Sequence, residues 1–355
     1  MKIGFLWSSL FAGGGMQHWL HEVVTRLPEA YEPRVLALIS KNEKVVQPFT
    51  SCETLTVPWL TSLQLYSPSD LRTIKRFFDE SDIVYFTYSN PIRKALSLFL
   101  QFYTQTPVVC GHHETSPDWS HRVPSLLGPS GIRLGRHFSG HHALNEETKR
   151  GLMSWGARNV FKIPNGVDCR RFVPLEKYEK FSVLYLAKLY PYKGADLIPT
   201  LAERLKRRIT DFDFYVAGEG PLQDLVSSLA DKGIVKYLGH VQEKEKTDLL
   251  QKCQVLVAPS RFEAFPLVGL EAMASGTPVV TFDIPGPREY IKNGYNGYLA
   301  SDLETMIESI VQIHRLWKND HESYSTLMRN SRGTAEMFSW DAVIPRLTAM
   351  FSSLT

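Results

Sequence analysis

Residues 260 to 281 read SRFEAFPLVGLEAMASGTPVVT. The run VLVAPS just before and within it predicts a strand ending at Ser260. LVGLEAMASG then predicts a helix, with Pro266 as its first residue, where a missing N–H costs nothing. Gly276 closes that helix and TPVVTF is the next strand. Strand, loop, helix and strand in that order make a βαβ unit, and hence a parallel sheet. Two carboxylates, Glu263 and Glu271, sit in this otherwise small and apolar stretch. Burying an unpaired carboxylate is costly, so either they face water or they are held for use.

The start of a helix points free N–H groups and a positive dipole end outward, which suits a phosphate. Glu271 lies more than a turn inside, too deep to cap the helix but able to reach ligand hydroxyls. Two acceptors beside a phosphate site fit a ligand with phosphates and hydroxyls, such as a nucleotide sugar. The plain alternative is a solvated Glu263 and a paired Glu271.

The same alternation extends in both directions. Strands are expected at KIGFLW, RVLALIS, DIVYFT, PVVCG and HHALN, and after residue 166 at SVLYLAKL, DFYVAGEG, VKYLGHV, VLVAPS and TPVVTF. Amphipathic segments between them include MQHWLHEVVTRL, SDLRTIKRFFDES, DLIPTLAERLKRR, PLQDLVSSLADKG and EKTDLLQKC. The pattern restarts at FSVLYLAKL, and IPNGVDCRRFVP makes a hinge. The expected fold is α/β, with two doubly wound domains at 1–165 and 166–337. A final segment, 338–355, is a helix interrupted by Pro345. Two such domains imply a cleft at the carboxyl ends of their strands.

The bulk numbers agree with a folded two-domain chain: 355 residues, 43% hydrophobic and 22% charged. A net charge of +3 is too mild to argue for nucleic acid. Cys52, Cys110, Cys169 and Cys253 show no CxxC spacing, so a reducing compartment is expected, without a metal site or disulfide framework. MKIGFLWSSL reads as a first strand rather than a signal peptide, and ALSLFLQFY is too short to span a bilayer. The expectation is a cytoplasmic protein, at most peripheral to the inner face of the cell membrane. Arg72, Lys75, Arg76, Arg93 and Lys94 lie beside apolar stretches, and a basic amphipathic surface of this kind can rest on anionic lipid. A core helix with a solvated face is the plainer reading.

Several further motifs occur in a fixed order: GGGM at 13–16, IPNGVDCRRFVP at 163–174, LAKLYPYKGADL at 186–197, VAGEGP at 216–221, E-x7-E from Glu263 to Glu271 with AMASGTPVV after it, and PGPREYIKNGYNGYL at 285–299. Together they resemble the retaining glycosyltransferases of family 4 (glycosyl transferases group 1), which have the GT-B fold, and the matches run over nearly the whole chain. The resemblance implies an N-terminal acceptor domain, a C-terminal nucleotide-sugar domain and a last helix packing back on the first.

It also implies residue roles. Glu271 accepts from ribose hydroxyls, and Glu263 binds hydroxyls of the donor sugar. The backbone around Ala264, Phe265, Pro266, Leu267 and Val268 meets the sugar and distal phosphate. Lys188 and Lys193 neutralise the diphosphate. The family usually has Arg at the first of these, and Lys keeps the charge but not the bidentate fork. Gly14 and Gly15 lie under the donor phosphates, while Asn165 and Gly218 line the nucleotide site. His113, with His112 one step away, faces the donor sugar. Without the resemblance, two lysines at a strand end read as solvated surface.

No metal and no cofactor beyond the nucleotide diphosphate sugar are expected. The spacing of His121, His137, His141 and His142 does not make a zinc site, and these are read as structural or surface residues. Asp211 and Asp213 form a D-x-D that is read as a decoy, at the strand end away from the cleft. The expected reaction is hexosyl transfer with retention to a saccharide or lipid-linked acceptor. The alternatives are a nucleotide-sugar epimerase on the same fold and a non-catalytic sugar-nucleotide-binding subunit.

Overall fold

The computed structural model describes residues 1–7, 15–40, 53–59, 67–87, 91–113 and 136–355. The chain divides into two compact units, Met1–Asn165 with Trp340–Thr355, and Gly166–Ser339.

The first unit holds β1 (Lys2–Trp7), α1 (Gly15–Arg26), β2 (Glu32–Ser40), β3 (Glu53–Trp59), α2 (Pro68–Asp79), β4 (Ile83–Phe86), α3 (Pro91–Thr104), β5 (Val108–His112), β6 (Gly140–Ala143), α4 (Glu146–Ser154) and β7 (Val160–Lys162). Its strands are all parallel, in the order β3-β2-β1-β4-β5-β6-β7. Central strands such as IVYF are buried along their length, as a sheet covered on both faces requires. Local chemistry sets the helix starts. Ser67 and Asp70 form a capping box on α2 with Pro68 at its first position, and Asn145 caps α4 through Thr148 N.

The second unit holds β8 (Ser182–Leu186), α5 (Ile198–Arg208), β9 (Asp213–Ala217), α6 (Gln223–Asp231), β10 (Lys236–Gly239), α7 (Glu243–Lys252), β11 (Val255–Ala258), α8 (Leu267–Ala274), β12 (Val279–Phe282), α9 (Pro285–Arg288), β13 (Gly297–Ala300), α10 (Leu303–Asn319) and α11 (His321–Glu336). Its sheet is also parallel, ordered β10-β9-β8-β11-β12-β13. In each unit the chain winds outward from one strand and then returns to its other side. The strand order therefore reverses between β1 and β4 and again between β8 and β11. Such switch points leave a crevice at the carboxyl ends of the two strands, where ligands bind in open α/β sheets.

The last helix, α12 (Trp340–Leu354), is continuous through Pro345, which corrects the expected interruption. Proline in a helix removes one hydrogen bond. Packing compensates here, because Trp340, Val343, Ile344, Leu347, Met350 and Phe351 are all buried in the core that contains Phe5 and Tyr85.

Strands β3, β7 and β13 and helix α4 had no clear sequence signal as such. Strand β3 is an edge strand carrying Pro58, which edges tolerate, and β7 has only three residues. Among the described residues no helix is long and apolar enough to cross a membrane.

Candidate functional site

In the second unit the switch point gathers three loops. Lys188 follows β8, the segment around Gly218 follows β9, and residues 259–266 follow β11. Two glycines allow these loops to touch. Gly218 has φ +137°, and a Cβ there would lie 1.9 Å from the carbonyl oxygen of Ala187. Gly194 has φ +74°, and its Cβ would lie 2.1 Å from the carbonyl oxygen of Pro259. Only glycine permits both the backbone angle and the approach. The hydroxyl of buried Tyr185 donates to the carbonyls of Lys188 (3.2 Å) and Lys193 (3.3 Å), while Arg261 holds Asp196 at 2.7 and 2.8 Å.

This scaffold brings Lys193 Nζ to 2.6 Å from Oε1 of Glu263, both side chains being mostly buried. Lys188 is exposed and makes no ion pair among the described residues. Ala264 and Phe265 are buried, and Phe265 packs on Tyr290 with ring centroids 5.3 Å apart. Helix α8 begins at Leu267, so Pro266 is the residue before the helix rather than its first. No side chain caps this end. The first-turn N–H groups, including those of Leu267 and Val268, thus keep the anion-binding capacity of a helix start.

Glu271 sits one turn further along, 4% exposed. Lys246 Nζ, on α7, lies 2.9 Å from its Oε1, and Lys246 also lies over the ring of Phe172 at 5.4 Å. Oε2 of Glu271 is buried and has no hydrogen-bond partner among the described residues. A half-satisfied buried carboxylate is costly unless something donates to its second oxygen. Sequence reasoning missed Lys246, which lies in the polar run EKEKTDLLQK and meets Glu271 only through the packing of α7 on α8. The two glutamates in the apolar stretch are thus each matched by a lysine from a distant segment.

Asp213 opens β9 at the amino end of the strand and is paired with Lys180 and Lys236. These pairs lie at the sheet end opposite the three loops.

In the first unit Gly14 lies outside the described residues and Gly15 is the first residue of α1. Asn165, the last residue of the unit's first segment, is buried. His113 follows β5 and is partly exposed. Its Nε2 lies 2.7 Å from the Tyr85 hydroxyl, and its ring meets Trp19 edge-on at 4.6 Å. The same hydroxyl lies 2.7 Å from Nδ1 of His142, whose Nε2 is 2.7 Å from the carbonyl oxygen of Ile163. Burial holds His113 well below the usual histidine range, and it brings His142 down to about 4, against the hydrogen bond to Ile163.

Strand alternation sends His112 to the opposite face. Its Nε2 lies 3.2 Å from Nδ1 of His141, which is paired in register with Cys110. His141 and His142 are buried, so the surface reading of these two does not hold. Donor atoms of Cys110, His112 and His141 lie within 4.8 Å of one another, a grouping that chain spacing concealed because it is made by the β5–β6 register. The positive charge of Lys94 acts on all three and opposes a cation there.

A family model described as "Glycosyl transferases group 1" matches residues 169–334, and one described as "Glycosyltransferase Family 4" matches residues 13–171. A phosphatidyl-myo-inositol mannosyltransferase of Mycolicibacterium smegmatis is 24% identical over 372 residues, covering 100% of this chain and 94% of that protein. A glycogen synthase of Mycobacterium tuberculosis is 33% identical over 162 residues, covering 44% of this chain and 39% of that one. The crystal structure of Anabaena HepE in complex with UDP superposes with a TM-score of 0.79 at 20% identity, covering 99% of this chain and 100% of that one. At that identity the likeness is one of fold, the GT-B pairing of two Rossmann-like units.

Proposed function

The chain is a glycosyltransferase of family 4, group 1, and from that premise we propose that it moves a hexosyl group from a nucleotide diphosphate sugar to a saccharide or lipid-linked acceptor, with retention of configuration. The observation that carries the donor assignment is the Glu271 carboxylate, with one oxygen held by Lys246 and the other buried without a partner among the described residues. Two ribose hydroxyls supply the donors that such an oxygen lacks. Glu263 then receives sugar hydroxyls, Lys193 and Lys188 face the diphosphate, and the uncapped start of α8 takes the distal phosphate. The backbone of Ala264, Phe265, Pro266, Leu267 and Val268 belongs to the same donor site in this reading.

Transfer at a sugar carbon passes through an oxocarbenium-like state, and the leaving diphosphate gathers negative charge. Two lysines and a helix start supply the compensating charge, so the reaction runs without a metal ion. Glu263 and Glu271 are each ion-paired with a lysine, which leaves neither of them free as a nucleophile. This favours attack from the leaving-group face, with a departing phosphate oxygen taking the acceptor proton. His113 faces the donor sugar.

Calorimetry with a panel of nucleotide diphosphates and their sugars, with and without magnesium, tests the reading. Uridine diphosphate compounds come first, since HepE was crystallised with UDP. Tight binding of one nucleotide sugar without metal is expected. Isomerised sugar without an acceptor would favour an epimerase, and tight binding without turnover a non-catalytic subunit.

Contact with membrane belongs to the same proposal. Three aromatic residues of α3 face outward: Phe99, Phe102 and Tyr103 are 61%, 59% and 62% exposed. Phe99 and Tyr103 stack at 5.6 Å, and Lys75 of α2 lies 5.3 Å over Tyr103. Exposed Arg72 and Arg76 are on the same helix as Lys75. Aromatic rings beside basic groups suit the interface of an anionic bilayer.

A further inference from the structure

The hydrogen bonds around Tyr85 form a chain whose directions are fixed by its last member. The carbonyl oxygen of Ile163 can only accept, so Nε2 of His142, 2.7 Å away, carries a proton. A neutral imidazole has one N–H, and burial keeps His142 neutral at pH 7. Its Nδ1 is therefore an acceptor, and the Tyr85 hydroxyl, 2.7 Å from it, donates to it. That hydroxyl has a single proton. Toward His113 Nε2, also at 2.7 Å, the phenol oxygen can then only accept, so His113 Nε2 carries the proton there. Nδ1 of His113 is left with a bare lone pair and has no partner among the described residues.

The ring is also fixed in place. Trp19 meets it edge-on at 4.6 Å and stacks on Tyr85 at 5.1 Å, while Trp7 stacks on Trp19 at 6.0 Å. Tyr85 itself is fully buried between strands β1 and β5, where Gly111 leaves room for it: a Cβ at Gly111 would lie 2.1 Å from the Tyr85 hydroxyl.

We propose that Ile163, His142 and Tyr85 act as a positioning relay that locks His113 in the Nε2–H tautomer, so that Nδ1 accepts a hydrogen bond from a hydroxyl of the transferred sugar. The relay rests on the reading that His113 faces the donor sugar. His142 and Tyr85 touch no substrate in this scheme. They decide which of the two ring nitrogens is the acceptor, and so which polarity of sugar group the site admits. A locked acceptor selects for a hydroxyl and against a group that can only accept, because an unpaired Nδ1 facing an acceptor is repelled as well as unsatisfied.

The first test reads the parent chain directly, with variants used only for assignment. Histidine-selective 15N correlation spectra of the full chain at pH 7 report which ring nitrogen is protonated. Both His113 and His142 are expected in the Nε2–H form, assigned from His113→Gln and His142→Gln. An Nδ1–H or imidazolium His113 overturns the relay. The second test is Tyr85→Phe, which keeps the ring packing and removes the hydroxyl. His113 should become a mixture of tautomers, and kcat/KM for transfer should fall about tenfold, the scale of one hydrogen bond, while nucleoside diphosphate affinity is unchanged. Unchanged spectra and kcat/KM would refute the relay. If the spectra are as expected but His113→Ala transfers normally, the placement of His113 at the sugar is wrong and the proposed role of Nδ1 falls with it.

Discussion

Lys246 Nζ lies 2.9 Å from Oε1 of Glu271, and Oε2 of the same carboxylate is buried without a hydrogen-bond partner among the described residues. The lysine neutralises the charge, while the open oxygen is where a ligand donor fits.

The two residues should therefore separate on mutation. Glu271→Ala should weaken nucleotide binding by about 1.5–3 kcal/mol, the worth of hydrogen bonds to a charged group. Calorimetry decides it, and unchanged affinity would sink the ribose assignment. Lys246→Ala leaves a buried carboxylate uncompensated and should destabilise the second unit by about 3 kcal/mol. Denaturant unfolding measures that, and a loss below about 1 kcal/mol would place the pair in solvent.

Lys193 pairs with Glu263 at 2.6 Å in a partly buried site. If its charge serves the departing diphosphate, Lys193→Ala should lower kcat by about 100-fold, a typical cost of removing one preorganised donor. The thermal midpoint should move little. An unfolded variant with no specific loss of turnover would make the lysine structural.

Gly218→Ala combines a φ of +137° with a Cβ 1.9 Å from the carbonyl oxygen of Ala187. The loop must move, at a cost of about 2–4 kcal/mol. Stability and nucleotide affinity should fall together, because the displaced Ala187 is next to Lys188. A variant with native stability would show that this loop is not held as described.

The buried histidines make the first unit sensitive to acid. Burial lowers His112 and His113 well below the ordinary value of 6.5 and brings His141 and His142 to about 4. Lys94 adds to the effect at His141 and Arg346 at His142. A depressed folded value means that the unfolded chain takes up protons first as pH falls. The stability is fully present above pH 6.5 and is lost progressively between 6.5 and about 4, with His141 and His142 each contributing on the order of 3 kcal/mol. Unfolding of the full chain followed by tryptophan fluorescence should show this, since Trp7, Trp19 and Trp340 lie in this unit's core. A flat profile from pH 7 to 5 would contradict it.

If α3 meets lipid, Phe99→Ser with Tyr103→Ser should abolish co-sedimentation with vesicles containing anionic lipid and leave transfer to a soluble acceptor intact. Both side chains are more than half exposed, so folding should not suffer. Equal sedimentation of variant and parent would remove the membrane from the proposal.

The sequence by itself determined what local chemistry controls. Apolar strands spaced by amphipathic helices gave two parallel sheets, and the order of the motifs gave the family. The helix after Glu263 was legible because a βαβ unit of contiguous residues forms it. Pro345 was misjudged because one lost hydrogen bond is small beside the packing of Trp340 through Phe351. What only the tertiary structure decided are the partnerships. Lys246 with Glu271, Lys193 with Glu263, Tyr85 with both His113 and His142, and Cys110 with His141 join residues 25 to 70 positions apart. Sequence periodicity tells a side chain which face to occupy, but not which side chain from another element shares that face. That choice belongs to strand order, register and helix packing, and here it sets which carboxylate oxygen and which ring nitrogen are open to a ligand.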